Sequence, residues 1–125
     1  MQIFSKTDRG RVRTDNQDAY FAGKITDDSV FAVVCDGMGG ANAGNIASEL
    51  AVRHISEYVI RSYRDGMDMT DTEKTLKNAI VSANISLYDK AVNNAELAGM
   101  GTTAVAAFVK DGAAVIDGLR DKYGI

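Results

Sequence analysis

The stretch VFAVVCDGMGG, residues 30–40, decides how this chain folds. Its apolar run, Val30 to Cys35, is rich in β-branched and aromatic side chains and predicts a central strand. Asp36 follows directly, and the glycines after it let the backbone turn sharply and approach a ligand closely. Because an acidic side chain at the tip of a buried strand is costly without a cation, the pattern indicates a hard metal ion at Asp36.

Length and composition limit the class of protein. The chain has 125 residues, 46% of them hydrophobic, which predicts one globular domain over residues 1–125. A net charge of −3 argues against nucleic acid or anionic membrane as partners. The single cysteine, Cys35, cannot form an internal disulfide, and no apolar run reaches the ~20 residues of a membrane span. We therefore expect a cytoplasmic protein without a secretion signal.

The order of predicted elements points to an α+β fold. Apolar stripes predict two helices. The first runs from Asn45 to about Tyr63. The second would begin at a capping box formed by Thr70 and Glu73, and its stripe fades near Asn93. Short strands are predicted on either side of this helical pair, at residues 2–5, 19–22, 30–35, 104–109 and 113–116. Strands, two helices and strands again favour a mainly antiparallel sheet over alternating βαβ units.

Polar residues cluster at 11–18, at the Asp36 turn and at 99–103. Carboxylates at Asp18 and Asp36, each at a strand end, could share a divalent ion, and oxygen ligands favour Mg²⁺ or Mn²⁺ over zinc. Arg13 could hold a phosphate with its planar fork of donors. Metal, arginine and phosphate together suggest metal-assisted hydrolysis of a phosphoester.

These three clusters resemble, in the same order, the motifs of the metal-dependent serine/threonine protein phosphatases of the PP2C (PPM) family. Residues 10–18 are similar to the opening Arg…Asn-(Glu/Gln)-Asp motif, residues 33–44 to the bacterial Asp-Gly-Met-Gly-Gly signature, and residues 99–103 to the Met-Gly-Thr-Thr strand start. The resemblance covers roughly residues 5 to 110. It implies a β-sandwich with outer helices and the hydrolysis of phosphoserine and phosphothreonine in proteins.

The resemblance also implies roles for individual residues. Asp36 would bridge two Mn²⁺ or Mg²⁺ ions, Gly37 would offer its backbone carbonyl to one of them, and Arg13 would bind the substrate phosphate. Asp18, next to Gln17, would act through metal-bound water.

The chain departs from the family pattern at several positions. Gln17 is neutral where some members carry Glu, Met38 stands where others place a histidine acid, and Asn42 replaces a common histidine. The Gly-Asp-Ser-Arg segment is absent, and residues 114–121 resemble a later Asp-Gly-Leu-x-Asp metal motif, which would make Asp117 a further ligand. We therefore expect a truncated or internally deleted domain, a partial α-β-β-α sandwich with two long helices on one face.

Two functions from different classes remain open. One is a metal-dependent protein phosphatase that acts on phosphorylated proteins. The other is a catalytically inactive relative that binds a partner or one metal ion and forms a homodimer through its uncovered sheet. A dinucleotide or P-loop site is disfavoured, because the glycines at 37, 39 and 40 lack the required spacing and Asp36 would repel a pyrophosphate.

Overall fold

The computed structural model describes residues 11–13, 18–39, 43–110 and 113–119. The described elements are, in chain order, β1 (Arg11–Arg13), β2 (Asp18–Thr26), β3 (Ser29–Met38), α1 (Ala43–Ser62), α2 (Met69–Asn93), a short 3₁₀ turn (Ala95–Leu97), β4 (Gly101–Thr102), β5 (Ala104–Lys110) and β6 (Ala113–Leu119).

The strands form one antiparallel sheet in the order β1-β2-β3-β5-β6, and β4 pairs with the end of β3. A tight turn joins β2 to β3, and within it the Thr26 amide donates to the Ser29 hydroxyl at 3.0 Å. β3, the strand predicted from the opening motif, lies in the middle of the sheet, between β2 and β5. The predicted α+β class with a mainly antiparallel sheet is confirmed.

The two faces of β3 have different surroundings because successive side chains of a strand point to opposite faces. Phe31, Val33 and Cys35 are fully buried in the core that the sheet forms with the helices. Val34 and Asp36, at the alternating positions of the strand, are exposed on the other face. The sheet therefore has one face covered by α1 and α2, and one face, the open face, that carries Asp36.

Both helices pack against the covered face. Small residues of α1, such as Ala47 and Ala51, are completely buried and allow the helix to approach the sheet closely. α2 buries Leu76, Ile80 and Leu87 beside it. The predicted pair of long helices on one face of the sheet is confirmed. Neither helix in the described ranges has the length and apolar character that crossing a membrane requires.

The predicted start of α2 is wrong by two residues. The N-cap is Asp68, whose carboxylate accepts a hydrogen bond from the Asp71 amide at 2.7 Å, so Thr70 already lies inside the helix. Aspartate caps a helix at least as well as threonine, and Asp68 has the extended backbone that a cap needs. The prediction failed because the residues before Thr70 were interpreted as a loop.

Three strands extend well past their predicted ends. β2 continues to Thr26 rather than ending at residue 22. β3 continues through Asp36 to Met38 because the short strand β4 supplies backbone partners, with Gly37 opposite Thr102. β6 extends to Leu119 rather than ending at residue 116. The predicted strand at residues 2–5 lies outside the described residues.

Candidate metal centre

Two carboxylates face each other across neighbouring strands. Asp18 begins β2, and the antiparallel register places it directly opposite Asp36 of β3. Ala19, the next residue, is buried on the covered face, so Asp18 lies on the open face together with Asp36. Like charges directly opposite each other on a sheet are destabilising, which makes this pair a site of stored electrostatic repulsion.

The closeness of the two carboxyl groups raises the pKa of Asp18 above its ordinary value. A hydrogen bond from its carboxyl to that of Asp36 raises the pKa of Asp18, and burial and the Asp36 charge raise it further. That bond requires a proton between the two groups. When both are ionised, Oδ1 of Asp18 is a buried oxygen that has no hydrogen-bond partner among the described residues.

A divalent cation fits this arrangement. It would satisfy the buried oxygen of Asp18 and neutralise both carboxylates, and carboxylate oxygens are the ligands that Mg²⁺ and Mn²⁺ prefer. Within the described part of the chain, no group of three or more histidine, cysteine and acidic residues is placed to hold a metal. The described residues therefore offer two carboxylates and neighbouring backbone carbonyls.

Thr103 fixes the backbone at Asp36. Its amide donates to the Asp36 carbonyl at 2.9 Å, and its hydroxyl accepts from the Asp36 amide at 3.3 Å. Thr102, one residue earlier, is fully buried and pairs with Gly37. The sequence had indicated the 99–103 cluster as a strand start, but the support that Thr103 gives to Asp36 was missed because it depends on a contact 67 residues apart.

Gly39, directly after the end of β3, packs closely against the start of α1 and the segment before β4. Its φ of +144° is one that side chains with a Cβ rarely adopt. A Cβ there would also lie 2.9 Å from the Cβ of Ala43 and 3.3 Å from the Cα of Met100. This close approach requires glycine and holds β3, the start of α1 and the segment before β4 together.

For the predicted site residues Arg13 and Asp117, the structure gives the position of the backbone in the sheet. Arg13 pairs with Ala19 in the backbone register, one strand and one residue from Asp18. Asp117 pairs with Ala106, in the row of Val33 rather than that of Asp36. The roles of Arg13, Asp117 and the Gly37 carbonyl stay predictions, and Gln17 and Asn42 lie outside the described residues.

The lone cysteine and histidine have other surroundings. Burial raises the pKa of the Cys35 thiol to about 12, although a hydrogen bond with Thr102 opposes the shift, so the thiol stays protonated. A ring nitrogen of His54 lies 2.8 Å from the Ser82 hydroxyl and joins α1 to α2 on the covered side of the sheet. Neither residue is placed to serve a centre at Asp36.

Comparison with known proteins identifies a family for this chain. The Protein phosphatase 2C family profile matches residues 7–121. Serine/threonine phosphatase stp of Listeria monocytogenes is 35% identical over 119 residues, which cover 95% of this chain and 47% of that protein. The chain therefore spans about half the length of the curated relatives it matches first.

Solved structures show the same fold. Serine/threonine phosphatase Stp1 from Staphylococcus aureus superimposes with a TM-score of 0.71 at 28% identity, over 92% of this chain and 49% of that one. The catalytic domain of serine threonine protein phosphatase PstP, solved with two manganese ions, gives a TM-score of 0.68 at 28% identity, over 91% and 45% of the two chains. By its sequence and its fold, the chain described here belongs to the protein phosphatase 2C family.

Proposed function

We propose that this chain carries out, or contributes to, the metal-dependent hydrolysis of phosphoserine and phosphothreonine in proteins. One observation supports this most directly: Asp18 and Asp36 are paired across the open face, and a buried oxygen of Asp18 lacks a hydrogen-bond partner among the described residues. Family membership and the manganese-bound relative PstP support the same reaction class. A cytoplasmic setting is part of the proposal, supported by a single, buried cysteine in place of any disulfide.

Each proposed residue has a distinct task. Asp36 and Asp18 would hold Mn²⁺ or Mg²⁺ through carboxylate oxygens, with Gly37 offering a backbone carbonyl. Asp117, which lies in the row of Val33, is left out of this set. When bound, the metal would activate water and offset phosphate charge. Arg13 orients the phosphate through its planar guanidinium donors. Thr103 keeps the Asp36 backbone fixed, so that its carboxylate need not reorganise when a substrate arrives.

The test is hydrolysis of p-nitrophenyl phosphate and a phosphothreonine peptide by the full chain in Mn²⁺. Asp36→Asn should abolish turnover and the rise in melting temperature that Mn²⁺ causes. Asp27→Asn, an exposed aspartate in the turn between β2 and β3, is the matched control and should leave both unchanged. Equal activity in the wild type and in Asp36→Asn would contradict the proposal.

A second candidate is a non-catalytic metal-binding module that self-associates as a homodimer through the open face. It is favoured by the exposure of Val34 and Val105, which lie opposite each other and are 54% and 52% exposed. The same experiment separates the two. Mn²⁺ stabilisation that depends on Asp36, without turnover, supports the module, whereas turnover that Asp36→Asn abolishes supports the phosphatase.

A further inference from the structure

Helix α2 has apolar side chains on two opposite faces. Leu76, Ile80 and Leu87 are buried against the rest of the fold. Four other large apolar residues are exposed, between 49% and 68% of each side chain: Val81, Ile85, Tyr88 and Val92. With 3.6 residues per turn, these four lie on the side of α2 opposite its buried side. They form one continuous row, called here the outer seam.

The outer seam has the spacing of a helix-pairing surface. Its members are separated by four, three and four residues, which is the pattern of a and d positions in a coiled coil. Isolated exposed apolar residues are ordinary, but a contiguous row on one helix marks an interaction surface. Nothing in the described part of the chain covers the seam, which leaves it available to pair with a second helix.

The seam is separate from the groove between the two helices. On the α2 side, the groove is lined by Ser86 and Lys90 and by the buried Ala83 and Leu87. Ser82 of α2 is hydrogen-bonded to His54 of α1. The groove there is lined by groups of mixed charge, with Arg53 and Glu57 from α1 and Lys90 from α2. The apolar row does not continue into this groove, so α1 does not use it.

The pattern of the seam is complementary to itself when two copies run antiparallel. A two-fold axis between Ile85 and Tyr88 sets Ile85 against Tyr88 of the second copy, and Val81 against Val92. The chain also carries opposite charges at the two ends of the seam. Exposed Lys77 precedes it, and exposed Glu96 follows it in the 3₁₀ turn.

Charge decides the direction of pairing. In the antiparallel arrangement, Lys77 of each copy lies toward Glu96 of the other. The positive end of each helix dipole then lies beside the negative end of the other, which is favourable. In a parallel arrangement, lysine would meet lysine at one end and glutamate would meet glutamate at the other. The antiparallel arrangement is therefore the better fit.

We propose that two copies of this chain form a reversible dimer by antiparallel pairing of their α2 outer seams. Four side chains per copy bury less than the ~800 Å² per partner that is typical of a stable interface, so the dimer should depend on concentration. The seam lies on the helix side of the sheet, whereas Asp18 and Asp36 lie on the open face. Dimerisation therefore leaves both candidate metal centres accessible.

Sedimentation equilibrium over a concentration series tests association. The wild type should shift from monomer to dimer, and Ile85→Glu should stay monomeric at the highest concentration. Ile60→Glu, on α1 and also half-exposed, is the matched control and should dimerise like the wild type. Far-UV circular dichroism checks that both variants fold. A wild type that stays monomeric throughout, or equal loss of dimer in both variants, would overturn the proposal.

Cross-linking tests the direction and the surface. With a short bismaleimide, Val81→Cys mixed with Val92→Cys should give a cross-linked heterodimer, because the two positions face each other only in the antiparallel arrangement. The buried Cys35 should not react. Dominant products between two Val81→Cys copies would indicate parallel pairing, and a dimer lost in Val105→Glu but kept in Ile85→Glu would place the contact on the open face. The first result contradicts the antiparallel direction, and the second contradicts the outer seam as the contact surface.

Discussion

Thr103 and Asp36 are joined by two hydrogen bonds that run in opposite directions. The Thr103 amide donates to the Asp36 carbonyl at 2.9 Å, and the Asp36 amide donates to the Thr103 hydroxyl at 3.3 Å. The residue that faces the candidate metal is thereby fixed to a segment that follows both helices in the chain. The position of the Asp36 carboxylate depends on this closure of the fold.

Removing the Thr103 hydroxyl should loosen Asp36. Thr103→Val keeps the shape of the side chain but leaves the Asp36 amide without its acceptor, which should cost about 1 kcal/mol of unfolding free energy. Denaturant titration measures that cost, and calorimetric Mn²⁺ titration should show weaker binding. Thr103→Ser retains the hydroxyl and should restore most of the unfolding free energy and most of the Mn²⁺ affinity. Equal loss in the two variants would mean that the hydroxyl is not what supports Asp36.

Gly39 should tolerate no side chain. Gly39→Ala combines an unfavourable φ with contacts at 2.9 Å and 3.3 Å, one of them to backbone, and should cost about 3 kcal/mol of unfolding free energy. Gly66→Ala is the matched control, because Gly66 also has a positive φ but no atom within 4 Å of the added Cβ. Its cost should stay near 1 kcal/mol. Equal costs, measured by denaturant titration, would show that the close approach at Gly39 is unimportant.

His54 should make stability depend on pH. Burial lowers the pKa of His54, and the Arg61 charge lowers it further, while Glu57 opposes the shift. The folded state therefore binds a proton less readily than the unfolded state. The resulting stability is fully present above the unfolded pKa of about 6.5 and is lost as the pH falls toward the folded value.

The measurement is the melting temperature of the wild type and of His54→Gln across this pH window. Because His54 is the only histidine, the variant removes every imidazole from the chain. The wild type should lose more stability than the variant as the pH falls through about 6.5. If the melting temperatures of the two proteins changed with pH in parallel, His54 would not be the source of the pH dependence.

Cys35 should be unreactive until the protein unfolds. Its side chain is fully buried, so a reagent cannot reach the sulfur. Its pKa is raised to about 12, so little of the reactive thiolate is present. A chromogenic disulfide reagent should label one thiol per chain in denaturant and almost none under native conditions. The native rate should increase with denaturant in step with unfolding. Labelling of the native protein as fast as a peptide thiol would exclude a buried Cys35.

Local patterns were sufficient for most of the architecture. The apolar run before Asp36 predicted the strand at the centre of the sheet, and the two apolar stripes predicted helices close to Ala43–Ser62 and Met69–Asn93. These predictions succeeded because strand and helix periodicities are properties of neighbouring residues. The start of α2 failed because two good capping residues, Asp68 and Thr70, stand close together, and local pattern does not rank them.

The candidate site was partly predictable. Asp18 and Asp36 were identified from residue type and from their positions near strand ends, and the motif order indicated the family. Their direct opposition was not predictable, because it depends on the register between β2 and β3. A shift of one residue would have put Asp18 opposite a different residue and on the other face of the sheet.

By itself, the sequence determined the type of fold and the family and named the candidate acidic residues, since these follow from periodicity and from residue order. Only the tertiary structure decided that β3 continues past Asp36, that Thr103 fixes it, and that the outer seam of α2 faces solvent. The physical reason is that strand register, long-range hydrogen bonds and burial join residues that are distant in the chain. The sequence around Asp36 supplies the carboxylate, and the packing of distant segments gives that carboxylate its position.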